Sequence, residues 1–257
     1  MDSPRRSPLR PSHRHVARRW LARAGLALAG ALAVAIAAGV GYELSLPGVA
    51  DARTRTAEIV RSHHGDLAGL PVPSRLGRAV VAVEDEHFYS FVAINVFDGA
   101  ARAALAGLLA QGDPGGSTID QQLAKQLYGR GTGVLASLRE LALGVKLALA
   151  YSPNRILAMY LDVVYYGHHY WGDAAAARGY FGVPPDRLDW AQAAMLAGLP
   201  QAPSAYDPLG HFALAKQRQL HVLNQLVANH DLTRRQAGAG GISRTLASPG
   251  MNQRPGP

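Results

Sequence analysis

A group of polar side chains in residues 117–125 has the spacing expected of a binding site on one helical face. The segment 115–126 reads GGSTIDQQLAKQ. Polar residues recur at positions i, i+3, i+4 and i+7: Thr118, Gln121, Gln122 and Lys125. Apolar residues follow a second face, which we expect to contact the core. For any one of the glutamines, a solvated amphipathic helix is the better explanation, so only the complete set indicates a site.

The start of this helix is suited to phosphate or pyrophosphate. Gly115 and Gly116 interrupt the preceding structure, and Ser117 or Thr118 then caps a new helix, because Thr118 and Gln121 match a capping box. The first N–H groups and the positive end of the helix dipole are expected to face an anion there. Lys125, two turns further on, adds a full positive charge.

The elements that position the polar residues of 117–125 are predicted to be helices. Helical periodicity extends from residue 71 to about residue 227, and the alternation typical of strands is scarce. We find no internal repeat, no glycine-rich nucleotide loop and no histidine spacing of a zinc site. We therefore predict a mainly α domain for residues 71–230. Residues 231–257, rich in Gly, Arg, Ser and Pro, are predicted to be a disordered tail.

The N-terminal region predicts a membrane anchor. Residues 1–23 carry seven arginines and one acid, and residues 24–42 carry no charge. A helix over 24–42 spans about 28 Å, close to the thickness of the hydrocarbon core of a bilayer. The positive-inside rule places the basic tail in the cytoplasm and the domain outside it. Residues 43–70 are read as a short stalk; the alternative is a cleaved signal peptide ending near residues 50–52.

Composition limits the classes of function. With 257 residues and 48% hydrophobic content, the chain is not wholly disordered, and without cysteine it has no disulfide or thiolate nucleophile. A net charge of +8 suits nucleic acid, an anionic membrane surface or a phosphorylated substrate. The arginines precede an apolar segment and not a folded nucleic-acid-binding domain. We therefore expect no nucleic-acid partner.

Several motifs resemble one enzyme family. The stretch GGSTIDQQLAK resembles the G-x-S-T-x-x-Q-Q-x-x-K motif of family 51 peptidoglycan glycosyltransferases, the transglycosylase domain of penicillin-binding proteins. VAVEDEHFY (81–89) is similar to the first motif of the family, residues 138–140 to the end of the third, and RILAMYLDVVYYG (155–167) to the fourth. GDAAAARGYFG (172–182) and AGLPQAPSAYDP (197–208) resemble its closing segments. The motifs occur in the order of the family, over about residues 72–226.

The resemblance implies a lysozyme-like domain of two lobes that polymerises lipid II and releases polyprenyl pyrophosphate with inversion. Glu84 is then the general base that takes the proton of the acceptor hydroxyl, with a pKa raised by partial burial. Asp85 orients or supports it. Glu140 occupies the second catalytic position, where it holds a basic residue or a divalent cation such as Mg²⁺ or Mn²⁺, without a dedicated protein metal site.

The remaining roles in substrate binding follow from the same resemblance. Lys125 and Arg139 meet the charge of the leaving pyrophosphate, and Arg130 is a possible substitute contact. Polar residues of the opening motif hold sugar and phosphate oxygens: Ser117, Thr118, Gln121 and Gln122. The expected partners are lipid II, the growing glycan strand, the membrane and other proteins of cell-wall synthesis.

The chain departs from the family pattern at seven positions: Phe91, Ala93, Ala136, Ser137, Pro153, Ala158 and Asp162. Two of these, Ala136 and Ser137, replace an Arg-Lys pair, which predicts weaker pyrophosphate binding and slower turnover. One alternative is a lipid II-binding scaffold that has lost turnover. A second is a glycan-cleaving enzyme of lysozyme type. Because no Ser-x-x-Lys motif follows residue 227, we expect a monofunctional enzyme without transpeptidase activity.

Overall fold

The computed structural model describes residues 13–67, 72, 74–90, 117–129 and 131–242. These residues form ten α-helices, one turn of 3-10 helix and a single β-bridge between Tyr165 and Trp171. The prediction of a mainly α chain is therefore confirmed for the described residues. The chain divides into two units, Met1–Pro47 and Gly48–Pro257.

The first unit contains helix α1 (His13–Ser45). Within it, Arg23–Tyr42 is long and apolar enough to cross a bilayer, and none of its side chains is buried by the protein. An N-terminal signal sequence can also meet this criterion of length and composition, so both interpretations of this segment stand. Residues 1–12 of the predicted basic tail lie outside the described residues.

The second unit is an assembly of short helices around one apolar core. Its helices run in the order α2 (Ala52–Ser62), α3 (Arg75–Glu84), α4 (Ile119–Tyr128), α5 (Val134–Ala150), α6 (Pro153–Val163), α7 (Gly172–Phe181), α8 (Trp190–Gly198), α9 (Phe212–Ala228) and α10 (Arg234–Ile242). Helix α4 packs against α5 and α6, while α8 packs against α3 and α9. Helix α6 is central to the site, because it also contacts α2, α3 and α7.

Side chains define where the helices begin. The hydroxyl of Ser74 accepts a hydrogen bond from the N–H of Gly77 at 3.0 Å and caps α3. At α8, Asp189 and Gln192 form a reciprocal capping box. Pro153 is the first residue of α6, where its fixed φ and missing N–H cost nothing. This departure from the family motif is therefore compatible with a regular helix.

Helix α2 is a correction to the predicted stalk of residues 43–70, because it packs on the second unit. The hydroxyl of Tyr128 donates to Oδ1 of Asp51 at 3.0 Å, and the hydroxyl of Tyr151 donates to the carbonyl of Val49 at 2.9 Å. One face of α2 is buried, at Ala52, Thr56 and Val60. This part of the segment belongs to the folded unit.

The beginning of the predicted disordered tail is also ordered. Residues 234–242 form α10, which lies against α9 and α8. Thr233 and Gln236 form the start of this helix: the N–H of Thr233 donates to Oε1 of Gln236 at 2.9 Å, and the N–H of Gln236 donates to Oγ1 of Thr233 at 3.3 Å. Leu232 is buried beside them. Residues 243–257 lie outside the described residues.

Candidate active site

Glu84 lies where three helices meet. It is the last residue of α3 and half-buried. The amide Nε2 of Gln122, on α4, donates to Oε2 of Glu84 at 2.8 Å and to the carbonyl of Ser117 at 3.2 Å. From α6, the hydroxyl of Tyr160 donates to Oε1 of Gln122 at 2.9 Å. The structure thus places the predicted base in direct contact with the predicted polar face of α4.

Asp85 supports the start of α4. It is buried, and its Oδ2 accepts a hydrogen bond from the N–H of Ile119 at 3.3 Å. Thr118 is the N-cap residue, and its hydroxyl accepts from the N–H of Gln121 at 3.4 Å. The cap at Thr118 is as predicted. However, the N–H groups of Ile119 and Gln121 already have protein acceptors, which corrects the prediction that the first N–H groups of this helix face an anion.

Glu140 and Lys125 contact each other one turn further along α4. Nζ of Lys125 lies 4.0 Å from Oε2 of Glu140, and the side chain of Glu140 is 19% exposed against 42% for Lys125. Since Gln122 and Lys125 are three residues apart, they are separated by about 4.5 Å along the helix axis. The two predicted catalytic carboxylates, Glu84 and Glu140, therefore contact neighbouring turns of one face of α4.

One of the other predicted cations is not part of this arrangement. Arg139 is exposed on α5, and among the described residues it forms no ion pair with the acids discussed above. Arg130 lies outside the described residues, as do Gly115 and Gly116. The departures at Phe91 and Ala93 also lie outside the described residues. In the described part of the site, Lys125 is the only one of the predicted cations that contacts a predicted acid.

Asp120 is a buried acid that the sequence analysis did not select. Burial, reinforced by the charge of Asp85, raises the pKa of Asp120 to about 7. An acid in the first turn of a helix is favoured by the helix dipole, which made Asp120 look ordinary in the sequence. Its side chain lines a pocket of about 70 Å³ together with Thr118, Gln121, Leu141, Val145 and Ile156.

Tyr160 is the second functional residue that the sequence analysis missed. It is fully buried on α6, 38 residues along the chain from Gln122, whose side chain it contacts. Its signal was the tyrosine within RILAMYLDVVYYG, the stretch that resembles the fourth motif. Periodicity assigned this residue to a helix but gave no indication of its partner, because the contact is between distant parts of the chain.

The departure at Asp162 lies beside another buried acid, Asp173. Asp173 is 1% exposed at the start of α7. Burial and the neighbouring charge of Asp162 raise the pKa of Asp173 to about 8. The backbone N–H groups of Ala174 and Asp173 lower this pKa, but by less than burial raises it. No hydrogen bond of ordinary geometry reaches either carboxyl oxygen of Asp173 from the described residues.

A metal site is not visible in the described residues, where no three His, Cys, Asp or Glu side chains lie close enough together to hold an ion. Glu140 contacts Lys125, one of the two arrangements expected of it. The divalent cation therefore stays a prediction.

Comparison with known proteins identifies the family. The sequence model of the family described as Transglycosylase matches residues 54–227, more than half of the chain. The chain belongs to the transglycosylase family. By class of enzyme, the chain is accordingly a peptidoglycan glycosyltransferase. The matched region begins inside α2, in agreement with the packing of that helix on the domain.

Individual relatives agree with membership of the transglycosylase family. A protein of Cupriavidus necator named as a transglycosylase is 40% identical over 157 residues, which cover 61% of this chain and 68% of the relative. Penicillin-binding protein 1A of Neisseria flavescens is 35% identical over 228 residues, covering 82% of this chain but 28% of the relative. The chain thus spans about a quarter of that penicillin-binding protein.

A solved structure of penicillin-binding protein 1A from Haemophilus influenzae is also similar in sequence. It is 26% identical, and the alignment covers 51% of this chain and 16% of that chain, with a TM-score of 0.35.

Proposed function

We propose that this transglycosylase polymerises lipid II into β-1,4-linked glycan strands and releases polyprenyl pyrophosphate with inversion at the anomeric carbon. The observation that carries the proposal is the contact of Glu84 with Gln122 on the polar face of α4. A carboxylate, a cation and hydrogen-bonding amides on one face are the groups that a glycosyl transfer from a pyrophosphate requires.

Glu84 is the general base in this proposal. The hydroxyl of the acceptor sugar is a weak nucleophile near neutral pH, so a carboxylate must take its proton while the new glycosidic bond forms. Gln122 donates to Oε2 of Glu84 and thereby holds the carboxylate in one orientation. A hydrogen bond donated to a carboxylate favours its charged form, which is the form that a general base requires.

Lys125 balances the negative charge that develops on the leaving pyrophosphate. The first N–H groups of α4 are partly occupied by Asp85 and Thr118, so the ammonium group of Lys125 is the main positive charge of the described face. Glu140 holds Lys125 from α5. A divalent cation brought in with the pyrophosphate would add to this charge.

The membrane places enzyme and substrate together. The lipid tail of lipid II stays in the bilayer, and Arg23–Tyr42 has the length of a spanning helix. With six arginines before this span, the N-terminus is assigned to the cytoplasm and the catalytic unit to the outer side of the inner membrane.

The test uses the purified full chain in detergent, labelled lipid II and Mg²⁺, with the products separated on a gel. We expect glycan polymer from the parent and a loss of about 10²- to 10⁴-fold for Glu84→Gln, because the proton acceptor is removed. Glu86→Gln is the matched control, since Glu86 is two residues away with a side chain 55% exposed. Equal activity of parent and Glu84→Gln would exclude Glu84 as the base.

The alternative of a lipid II-binding scaffold is favoured by one observation, the lack of contact between Arg139 and the acids of the site. In that case the parent binds lipid II and makes no polymer. Incubation of the parent with finished peptidoglycan distinguishes a third outcome, because released fragments would indicate a glycan-cleaving enzyme.

A further inference from the structure

We propose that Tyr160 is a positioning residue for the general base: its hydroxyl fixes the Gln122 amide in the orientation that donates a hydrogen bond to Glu84. This inference rests on the proposed function for the role of Glu84 as base. The contacts themselves form a continuous chain, from Tyr160 to Gln122 at 2.9 Å and from Gln122 to Glu84 at 2.8 Å.

The surroundings of the Gln122 amide define which end is nitrogen. Nε2 faces Oε2 of Glu84 and the carbonyl oxygen of Ser117, both of which only accept hydrogen bonds when Glu84 is ionised. A rotated amide would bring its oxygen against these two oxygens. Oε1 therefore faces Tyr160, whose hydroxyl can donate to it. Every hydrogen bond of this group is satisfied in one orientation only.

Tyr160 makes this orientation rigid because its own position is fixed by the core. It is 0% exposed on α6, and its ring cannot move without repacking the interior. Gln122 on a solvated helix would otherwise sample several rotamers around its flexible side chain. Hydrogen bonds at both ends of the amide connect the core helix α6 to the base at the end of α3.

The hydroxyl of Tyr160 remains a donor over the whole pH range in which a carboxylate base works. Burial, reinforced by the charge of Glu84, raises the pKa of Tyr160 well above its ordinary value. Two other titratable groups near Glu84 are Asp85, the next residue in the chain, and Tyr166, in the loop after α6. Tyr166 is also neutral, because burial raises its pKa well above the ordinary value.

Tyr166 provides a matched control. It has the same side chain, the same complete burial and a position six residues further along the chain. Its hydroxyl has no hydrogen-bond partner among the described residues. Replacing Tyr166 by Phe removes a buried hydroxyl without breaking a hydrogen bond to the site, whereas replacing Tyr160 by Phe removes the bond to Gln122.

The first experiment is a double-mutant cycle on polymerisation of lipid II by the full chain. We expect Tyr160→Phe to lower kcat by roughly tenfold with little change in KM, the effect of one lost hydrogen bond. In the Gln122→Ala background, Tyr160→Phe should cause no further loss, because its connection to Glu84 is already absent. Tyr166→Phe should retain the parental kcat.

The same loss from Tyr160→Phe in both backgrounds would overturn the inference, since Tyr160 would then act independently of Gln122. An equal loss from Tyr166→Phe would also overturn it, because buried hydroxyls in general would be responsible. Unchanged kcat in Tyr160→Phe would show that the hydroxyl is not needed.

The second experiment does not depend on turnover. The chain contains five glutamates, so the carboxyl carbons can be labelled with ¹³C and titrated by NMR, with Glu84→Gln assigning the signal. Tyr160→Phe should raise the pKa of Glu84 by about half a unit to one unit, because the Gln122 bond to the carboxylate is weakened. Tyr166→Phe should leave that pKa unchanged.

The two experiments separate the inference from the proposed function. If the parent forms no polymer but the pKa of Glu84 rises in Tyr160→Phe, the positioning role stands and the polymerase fails. If the parent is active and the pKa of Glu84 is the same in both proteins, Tyr160 does not position the carboxylate.

Discussion

At the scale of single residues, Asp173 shows how a buried acid makes stability depend on pH. Its pKa is raised to about 8, with burial as the main cause and Asp162 as the second. Between pH 4 and pH 8 the folded state therefore holds a proton that the unfolded state has released. Unfolding then releases this proton, so the free energy of unfolding falls as the pH rises through this window.

Replacing Asp173 by Asn removes this dependence. We expect Asp173→Asn to be more stable than the parent by about 1–3 kcal/mol at pH 8. At this pH the folded parent either binds a proton that the unfolded chain has released or buries a charged carboxylate, and both lower its free energy of unfolding. The difference should shrink towards pH 5. Thermal unfolding at pH 5, 6.5 and 8 measures it, with the exposed Asp186→Asn as control. A constant difference across the three pH values would contradict the raised pKa.

A second prediction concerns the missing cation on α5. Ser137 is exposed and lies three residues before Glu140, on the same side of the helix. We expect Ser137→Lys to raise kcat/KM by up to about tenfold, because a charged donor is restored near Lys125 and the pyrophosphate. Ser137→Gln, of similar length and no charge, is the control. Equal effects of both variants would show that charge at residue 137 is not limiting.

Residue types alone predicted part of the site. Thr118 caps α4, as the capping box indicated. The hydrogen bond from Gln122 to Glu84 was not predicted, because Gln122 was expected to hold sugar and phosphate oxygens. Tyr160 could not be found in this way, because its contact with Gln122 depends on how α6 packs against α4. The helical period of a sequence predicts which residues share one face of one helix. A hydrogen bond between two helices can be predicted only when the relative position of the helices is also known.

At the scale of helices, the sequence predicted helices between residues 71 and 227 and missed α10 and, before residue 71, α2. Its buried residues, Ala52, Thr56 and Val60, are spaced by four, but the middle one is polar. Thr56 can be buried because its hydroxyl donates to the carbonyl of Ala52 at 2.9 Å, inside the helix. This local hydrogen bond satisfies the polar group, so the apolar pattern in the sequence is interrupted while the packed face is continuous.

The two ends of α7 give a prediction about backbone conformation. Gly172 and Gly182 both have positive φ, at 78° and 69°. A Cβ at residue 172 would lie 2.6 Å from the carbonyl oxygen of Asp162, whereas one at residue 182 would meet nothing within 4 Å. The first position therefore requires glycine for space and for conformation, and the second only for conformation.

We expect Gly172→Ala to lower the free energy of unfolding by roughly 3 kcal/mol, since the left-handed conformation and the close approach both oppose a side chain. Gly182→Ala should cost about 1 kcal/mol, from the conformation alone. Urea unfolding of the two variants measures the difference. Equal losses would mean that the backbone near Asp162 relaxes to accept the methyl group.

At the scale of the whole molecule, the two units have different surfaces. Helix α1 exposes its leucines and valines along Arg23–Tyr42, as a membrane helix does. The second unit has a packed core, but α5 exposes Leu135, Leu138 and Leu149. Contact with the bilayer could therefore come from the first unit alone or from both, and the two cases give different results when the first unit is removed.

We expect a chain that starts at Gly48 to keep its helical content and its cooperative unfolding, because every buried core residue in the described part of the chain lies after Pro47. It should no longer float with anionic lipid vesicles, and its polymerisation of lipid II should fall in vesicles but not in detergent micelles. Circular dichroism, vesicle flotation and the gel assay measure these properties, with the full chain as reference. If the shortened chain still floats, changing Leu135 and Leu138 to Gln tests whether α5 binds the bilayer; loss of flotation would assign the contact to that helix.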